Sequence, residues 1–276
     1  MSTSNLFANV LNAYHPWKTR TQQRNPRVSP GFDRTCLPQK GTTVSKLMAG
    51  LTQIPPRTIL LGQCTDGLPM LFSLNDPEIG SILIEGGTGC GKTHQLQVMV
   101  DSACRANAPH EMQIAILTLH TRDWDYLSRE PRQDAYLRGV HAWYDPRAAQ
   151  LIESLTTLAE ARREGHRKGP AVLLVLDDLQ FVEELSYEAQ VNLHWLLAYG
   201  SQSDVWLVGT LQAEQVASFQ YWVETFRTRV IGQGASKKGA EPLDRHPRPQ
   251  VEDLDSGTFR VWTGEDWLTY RLPLIG

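Results

Sequence analysis

Residues 86–93 have the residue types and the spacing that bind a nucleotide phosphate. They read Gly86-Gly87-Thr88-Gly89-Cys90-Gly91-Lys92-Thr93 and satisfy the P-loop pattern G-x-x-x-x-G-K-[ST]. The glycines let backbone N–H groups turn inward around a phosphate, and the N-terminus of a following helix adds partial positive charge. In this pattern Lys92 reaches the β- and γ-phosphates, and the Thr93 hydroxyl is a ligand of Mg²⁺. We therefore expect residues 86–93 and His94 to bind ATP with Mg²⁺.

Two adjacent acids predict the second half of this site. Asp177 and Asp178 end the most hydrophobic stretch of the chain, at 171–178. Because parallel α/β sheets hold their ligands at the carboxyl ends of the strands, we expect Asp177 to bind the Mg²⁺ as a Walker B acid. Asp178 is then the candidate base that polarises the attacking water. The alternative is that both acids only end a core strand.

Candidates for the surroundings of the γ-phosphate follow farther along the chain. A predicted strand at 205–210 leads into Leu211 and Gln212, and either Gln212 or Thr210 is the expected sensor of the phosphate; the alternative is a polar strand end that meets solvent. Arg227 and Arg229 are candidates for an arginine finger supplied by a neighbouring subunit, which would stabilise charge on the γ-phosphoryl oxygens. The alternative for both is a position on the surface of an edge strand.

The elements that must position these residues alternate between strand and helix. Lys92 and Asp177 are 85 positions apart, which leaves room for two strands and is typical of P-loop ATPases with an extra strand between the two motifs. The predicted strands are 58–62, 70–74, 81–85, 113–119, 140–144, 171–178, 205–210, 258–262 and 267–271. Helices are expected at about 3–13, 43–52, 91–106, 146–165 and 186–199. The pattern predicts an α/β, RecA-like core whose mainly parallel sheet is covered by helices, with a C-terminal β-hairpin.

Composition limits the class of protein. The 276 residues are 41% hydrophobic, which supports a packed core, and no apolar run has the length of a membrane span. The N-terminus has no apolar signal segment. The four cysteines show no C-x-x-C spacing, and the eight histidines show no metal-ligand spacing. We therefore expect a cytoplasmic protein whose metal is the Mg²⁺ of the nucleotide.

The charges divide the chain into two predicted parts. Residues 1–56 form a Pro-rich, partly disordered arm, and residues 57–276 form the ATPase domain. Residues 1–50 carry a net charge of +6, whereas the remainder carries −9. A basic arm on an acidic body is typical of contact with a polyanion or with the acidic face of a neighbouring subunit. The alternative is a solvated tail.

Over residues 58–275 the chain resembles the FtsK–HerA superfamily of hexameric DNA-translocating ATPases. Leu61-Gly62 and the residues up to Pro69 are similar to its "LG-x-x-x-x-G-x-P" approach, and the P-loop is similar to its "GxTGSGKS". Thr210-Leu211-Gln212 stands where that family carries "ATQ", and residues 256–259 resemble its closing "G-x-F" strand. The resemblance implies an ATP-hydrolysing ring, a hexamer, that moves double-stranded DNA for packaging or transfer. Rival readings are a nucleotide-gated adaptor that recruits a protein, and a RecA-like helicase or loader for single strands.

Two departures from that family bear on chemistry. Asp178 stands where the family has Glu, and a carboxylate one methylene shorter predicts slower turnover. Cys90 replaces a serine, and we expect a small filler rather than a reactive thiol. The loops at 121–124 and 163–168 are candidates for contact with DNA phosphates, with a solvated loop as the alternative.

Overall fold

The computed structural model describes residues 41–51, 53–76, 79–129, 131–235, 254–263 and 266–276. Ten strands form one sheet: β1 (Thr58–Cys64), β2 (Pro69–Ser73), β3 (Ile82–Gly86), β4 (Met112–Thr118), β5 (Leu137–Ala142), β6 (Ala171–Asp177), β7 (Val205–Gln212), β8 (Thr228–Gly232), β9 (Thr258–Trp262) and β10 (Trp267–Arg271). The helices are α1 (Val44–Ala49), α2 (Lys92–Ala106), α3 (Tyr126–Arg129), α4 (Pro131–Asp134), α5 (Pro146–Arg163), α6 (Tyr187–Tyr199) and α7 (Gln220–Val223). Short 3₁₀ segments cover Thr121–Trp124, Leu179–Glu184, Gly200–Ser203 and Ala213–Gln215.

The sheet has a parallel half and an antiparallel half. Its order is β2-β1-β10-β9-β8-β3-β7-β6-β4-β5, and the strands from β8 to β5 are parallel. Strand β7 lies between the P-loop strand β3 and the acid-bearing strand β6, which confirms the predicted class of sheet. Strand β6 is buried along its whole length, as its continuous apolar run requires in a sheet covered on both faces.

Helices cover the two faces of the parallel half. Helix α2 buries Leu96, Met99 and Val100 in the core on one face, and α5 and α6 pack with β6 and β7 on the other. Helix α5 begins as predicted, with the Asp145 carboxylate accepting a hydrogen bond from the Arg147 N–H and with Pro at the first helical position.

Two details of the predicted elements are corrected. Strand β5 ends at Ala142 and not at Tyr144, because the Trp143 side chain turns into the core, where its indole N–H donates to the Asp177 carbonyl oxygen at 3.1 Å. Strand β8 is not an edge strand, since it pairs with β3 on one side and with β9 on the other. Arg227 and Arg229 therefore do not lie along a free sheet edge.

The antiparallel half holds both ends of the described chain. Strands β9 and β10 pair as the predicted hairpin, and β10 pairs in turn with β1. Helix α1 buries Val44, Leu47 and Met48 against this half and α2, and Thr43 pairs with Leu274 in an isolated parallel bridge. The expected helix at 3–13 lies outside the described residues. Within the part of the chain that the structure describes, no helix is both long and apolar enough to cross a membrane.

The β1–β10 contact leaves no room for a side chain at Gly62. A Cβ there would come within 2.5 Å of the Arg271 carbonyl oxygen and of Tyr270, at the β-bulge of β1. We expect Gly62→Ala to lower the free energy of unfolding by about 1–3 kcal/mol through overpacking, measured by urea denaturation. Gly50→Ala is the control, because a Cβ at Gly50 meets only ordinary contacts from 3.5 Å. Equal unfolding midpoints for the two variants would contradict the prediction.

Candidate nucleotide-binding site

The P-loop connects the end of β3 to the start of α2 in the conformation that its glycines allow. Gly89 and Gly91 have φ angles of +76° and +106°, a region that side chains disfavour. The Cys90 side chain is buried and points back into the loop, so that a Cβ on Gly86 would come within 2.5 Å of its sulfur. Burial raises the pKa of the Cys90 thiol, as expected for a packing residue. The loop thus presents its backbone to the space above α2.

Lys92 lies at the centre of the loop with its ammonium group held by three oxygen acceptors. Nζ donates to the carbonyl oxygens of Gly86 and Gly87 and to Oε1 of Gln212, each at 2.9 Å. These acceptors are uncharged. Because phosphate oxygens carry negative charge and attract the ammonium group more strongly than these acceptors do, a phosphate can replace them.

The Asp177 carboxylate is buried among hydroxyl groups. It accepts hydrogen bonds from Oγ1 of Thr93 at 3.0 Å, of Thr118 at 3.2 Å and of Thr210 at 3.4 Å. Burial raises the pKa of Asp177, and hydrogen bonds from the hydroxyl groups of Thr93, Thr118 and Thr210 counteract the shift. The Asp177 carboxylate and the Thr93 hydroxyl together provide hard oxygen ligands of the kind that Mg²⁺ prefers.

Asp178 directly follows β6 and begins the next 3₁₀ segment. Its Oδ1 accepts a hydrogen bond from the Gln180 N–H at 3.4 Å. Burial raises the pKa of Asp178 to about 6, while the Gln180 N–H and the charge of Lys92 act in the opposite direction. A carboxyl group with a pKa near neutrality is suited to general-base chemistry.

Gln212 ends β7 and lies between the two motifs. Besides its bond to Lys92, its Oε1 lies 3.4 Å from the Thr88 hydroxyl, and its side chain acts to lower the pKa of Asp178. The groups line a cavity of about 410 Å³, which is within the range of small-molecule sites. The lining includes Gly89, Gly91, Lys92, Thr93, His94, Thr118, His120, Asp177, Asp178, Gln180, Phe181, Thr210 and Gln212.

The two candidate arginines lie away from this cavity. Arg229 pairs with Leu83, three residues before β3 reaches the P-loop, and Arg227 precedes it at the amino end of β8. Arg227 is exposed. Arg229 is partly buried, donates to the Val223 carbonyl oxygen at 3.4 Å, and has its pKa lowered by burial. Neither side chain is among those that line the cavity of its own chain.

Several contacts of the site were not predicted from sequence. The Gly257 N–H donates to the Cys90 carbonyl oxygen at 2.9 Å, and the Ser256 hydroxyl donates to that of Gly89 at 3.0 Å. Nε2 of His94 lies 2.8 Å from the Pro273 carbonyl oxygen. The residues that flank the antiparallel strands β9 and β10 therefore contact the P-loop and the first turn of α2. The "G-x-F" resemblance at residues 256–259 identified this segment, but it did not predict that the segment contacts the P-loop.

The predicted DNA-contact loops differ in what they expose. In the loop at 121–124, Trp124 is buried in the core, so its side chain is not available for contact with DNA. The residues at 163–168 are mainly exposed and precede β6 at its amino end, on the opposite edge of the sheet from the P-loop.

No protein-family model and no curated protein matches the sequence. Among solved structures, the chain is similar to ATPases 2 and 3 of EccC from Thermomonospora curvata, solved with a signal sequence peptide, at 16% identity and a TM-score of 0.64 over 92% of this chain. It is similar to ATPases 2 and 3 of EssC from Geobacillus thermodenitrificans at 17% identity and a TM-score of 0.67 over 86%. It is also similar to the pCW3 conjugation coupling protein TcpA with ATPγS, at 16% identity and a TM-score of 0.58 over 79%.

These likenesses concern the fold. The chain covers 44% of the EccC structure, 45% of the EssC structure and 66% of TcpA. The order of the sheet and the position of the P-loop agree with the motifs from which the resemblance was inferred. This chain has the fold of these ATPase structures, which confirms the α/β core predicted from its sequence motifs.

Proposed function

We propose that this chain binds ATP with Mg²⁺ and hydrolyses it. The observation that carries the proposal is the convergence of Lys92, Asp177, Asp178 and Gln212 on one cavity from two adjacent strand ends and the start of α2. Thr93 and Asp177 would hold Mg²⁺, which neutralises charge on the β- and γ-phosphate oxygens when bound.

The roles of the side chains follow from their contacts. Lys92 exchanges its neutral acceptors for phosphate oxygens, and Gln212, which touches Lys92, is displaced or reoriented by the γ-phosphate. Asp178 accepts the proton of the attacking water. The backbone of residues 86–91, with the Thr88 and His94 side chains beside it, surrounds the phosphates.

We infer further that the chain works as a ring, a hexamer, that moves double-stranded DNA. The FtsK–HerA resemblance supports this, as does the likeness to TcpA, a conjugation coupling protein. Both candidate arginines lie at the amino end of β8, away from the cavity of their own chain, so either could act as a finger only in an oligomer, on a neighbouring copy. A nucleotide-gated adaptor is the second candidate, favoured by Asp178 at the place of a glutamate.

Turnover should depend on DNA and on the P-loop. We expect long duplex DNA to raise the steady-state rate of ATP hydrolysis severalfold, and Lys92→Ala to abolish it because the phosphate contact is lost. The circular dichroism spectrum of the variant checks that it folds as the wild type does. ATP binding with negligible turnover, with or without DNA, would contradict the motor and leave the adaptor. Stimulation by single strands alone would favour the helicase or loader.

The proposed role of Asp178 as the general base is tested by changing the charge and the length of its side chain. We expect Asp178→Asn to lower kcat by about 100-fold or more, and Asp178→Glu to raise kcat above that of the wild type. The wild-type kcat/KM for ATP should fall as the pH drops below about 6, because a protonated Asp178 accepts no proton. In Asp178→Asn this limb should be absent. An unchanged pH profile in that variant would exclude Asp178 as the base.

The arginine candidates are separated by their exposure. We expect Arg227→Ala to lower kcat about 1,000-fold in a ring, since the finger is supplied between copies, with little change in ATP affinity. Arg229→Ala should instead lower stability, since it removes the contact beneath α7. The test mixes Arg227→Ala with Lys92→Ala subunits, each inactive alone. Complementary interfaces in the mixture should restore part of the activity, and an inactive mixture would contradict a role between subunits.

A further inference from the structure

Helix α6 carries a row of apolar and aromatic side chains on its solvent-facing side, beside the exposed Glu188, as well as apolar residues on the side that faces the sheet. Leu193 and Leu196 are fully buried on the inner side of the helix, whereas on its outer side Tyr187 is 82% exposed and Val191 is 50% exposed. A surface helix is ordinarily polar on its outer side, and a helix that is hydrophobic all round is buried. The outer side chains and the adjacent Tyr221 form what we call the α6 face: Tyr187, Val191, His194, Trp195, Tyr199 and Tyr221.

The α6 face is held in place by its own ring contacts. Tyr221 stacks on His194 with centroids 4.4 Å apart and an angle of 14°, although Tyr221 remains 66% exposed. Nε2 of His194 lies 2.9 Å from the Thr225 hydroxyl oxygen, and Trp195 packs at 5.8 Å from Tyr199. Fixed aromatic rings lose little entropy when a partner covers them.

The surroundings of the α6 face are acidic except at Tyr199, where the Arg163 guanidinium lies 5.8 Å from the ring centroid. Residues 178–226 contain seven acids and no lysine or arginine. Of these acids, Glu183, Glu184, Glu188 and Glu214 are exposed and take part in none of the ion pairs between described residues. Such a surface repels nucleic acid and attracts a basic partner with apolar side chains.

The chain itself contains a segment of that chemistry. Residues 1–40 carry a net charge of +5. Within the helix predicted at 3–13 and just beyond it, the apolar residues recur at helical spacing: Leu6, Phe7, Val10, Leu11 and Tyr14. From Tyr14 to Gly41, where the described structure begins, the Pro-containing chain can extend about 80 Å, which spans the domain or reaches a neighbouring copy.

We propose that the N-terminal arm docks on the α6 face. Residues 6–14 cover the row from Tyr187 to Tyr199 in the manner of an amphipathic helix on an apolar surface, and the basic residues that follow lie beside Glu184 and Glu188. This inference goes beyond ATP hydrolysis and DNA movement and does not depend on either. It assigns the positive charge of the arm to a protein surface rather than to DNA.

Photo-crosslinking of the full chain tests the contact. With benzoylphenylalanine in place of Tyr221, we expect crosslinks to peptides from residues 1–34, identified by mass spectrometry. The matched control carries the same probe at Tyr144, which is 67% exposed and lies outside the α6 face, and should give none of these crosslinks. The mass on a denaturing gel separates an arm of the same chain from that of a neighbouring copy, and either supports the proposal. Crosslinks to another α6, to no protein, or from the arm to DNA alone would overturn it.

Charge reversal separates docking from mere proximity. The triple variant Arg20→Glu, Arg24→Glu and Arg27→Glu should lose at least 80% of the crosslink yield, and adding Glu184→Arg and Glu188→Arg should restore it. Reversal of Arg167 and Lys168, exposed basic residues elsewhere, is the control and should leave the yield unchanged. Because ATP hydrolysis is measured separately, its failure would not affect this outcome. Loss without restoration would overturn the electrostatic part of the proposal together with the assigned orientation of the arm.

Discussion

The hydrogen bond from Lys92 Nζ to Gln212 Oε1 is the contact on which the arrangement of the site depends. It exists because β7 lies between β3 and β6 and brings an amide between the ammonium and the carboxyl group of Asp178. A direct ion pair between a buried lysine and a buried acid would hold both groups and oppose the binding of phosphate. With the amide between them, Lys92 still lowers the pKa of Asp178, but burial prevails and leaves that pKa at about 6.

The antiparallel half connects this site to the start of the described chain. The P-loop carbonyl of Cys90 accepts a bond from Gly257, whose own carbonyl accepts one from the Leu272 N–H at 2.8 Å. Two residues on, Leu274 pairs with Thr43 and accepts a hydrogen bond from the Val44 N–H at 2.9 Å. Backbone hydrogen bonds thus connect the P-loop to the residues at which the described chain begins.

The sequence predicted what local pattern encodes. The P-loop, the acids at the end of β6 and Gln212 at the end of β7 each lie at a strand end, and the rule that parallel strands place their ligands at one edge brings them together. The sequence could not predict that β8 lies inside the sheet, because a short apolar strand has the same sequence pattern at an edge and in the interior. The inward turn of Trp143 and the contact between Gly257 and Cys90 depend on partners far away in sequence, which no periodicity reports.

The distribution of charge constrains where a duplex can lie in the proposed motor. The stretch 178–226 contains the proposed base Asp178 and the α6 face, and its seven acids are not offset by any basic residue within it. The exposed basic groups Arg122, Arg167 and Lys168 lie before β6, outside that stretch. Because phosphate contacts dominate the affinity for DNA, a duplex in the proposed motor would be attracted to such basic groups, which lie at both edges of the sheet, and repelled from the acids around the α6 face. An arm that covers the acids would reduce this repulsion, so docking of the arm and binding of DNA would favour each other without sharing a surface.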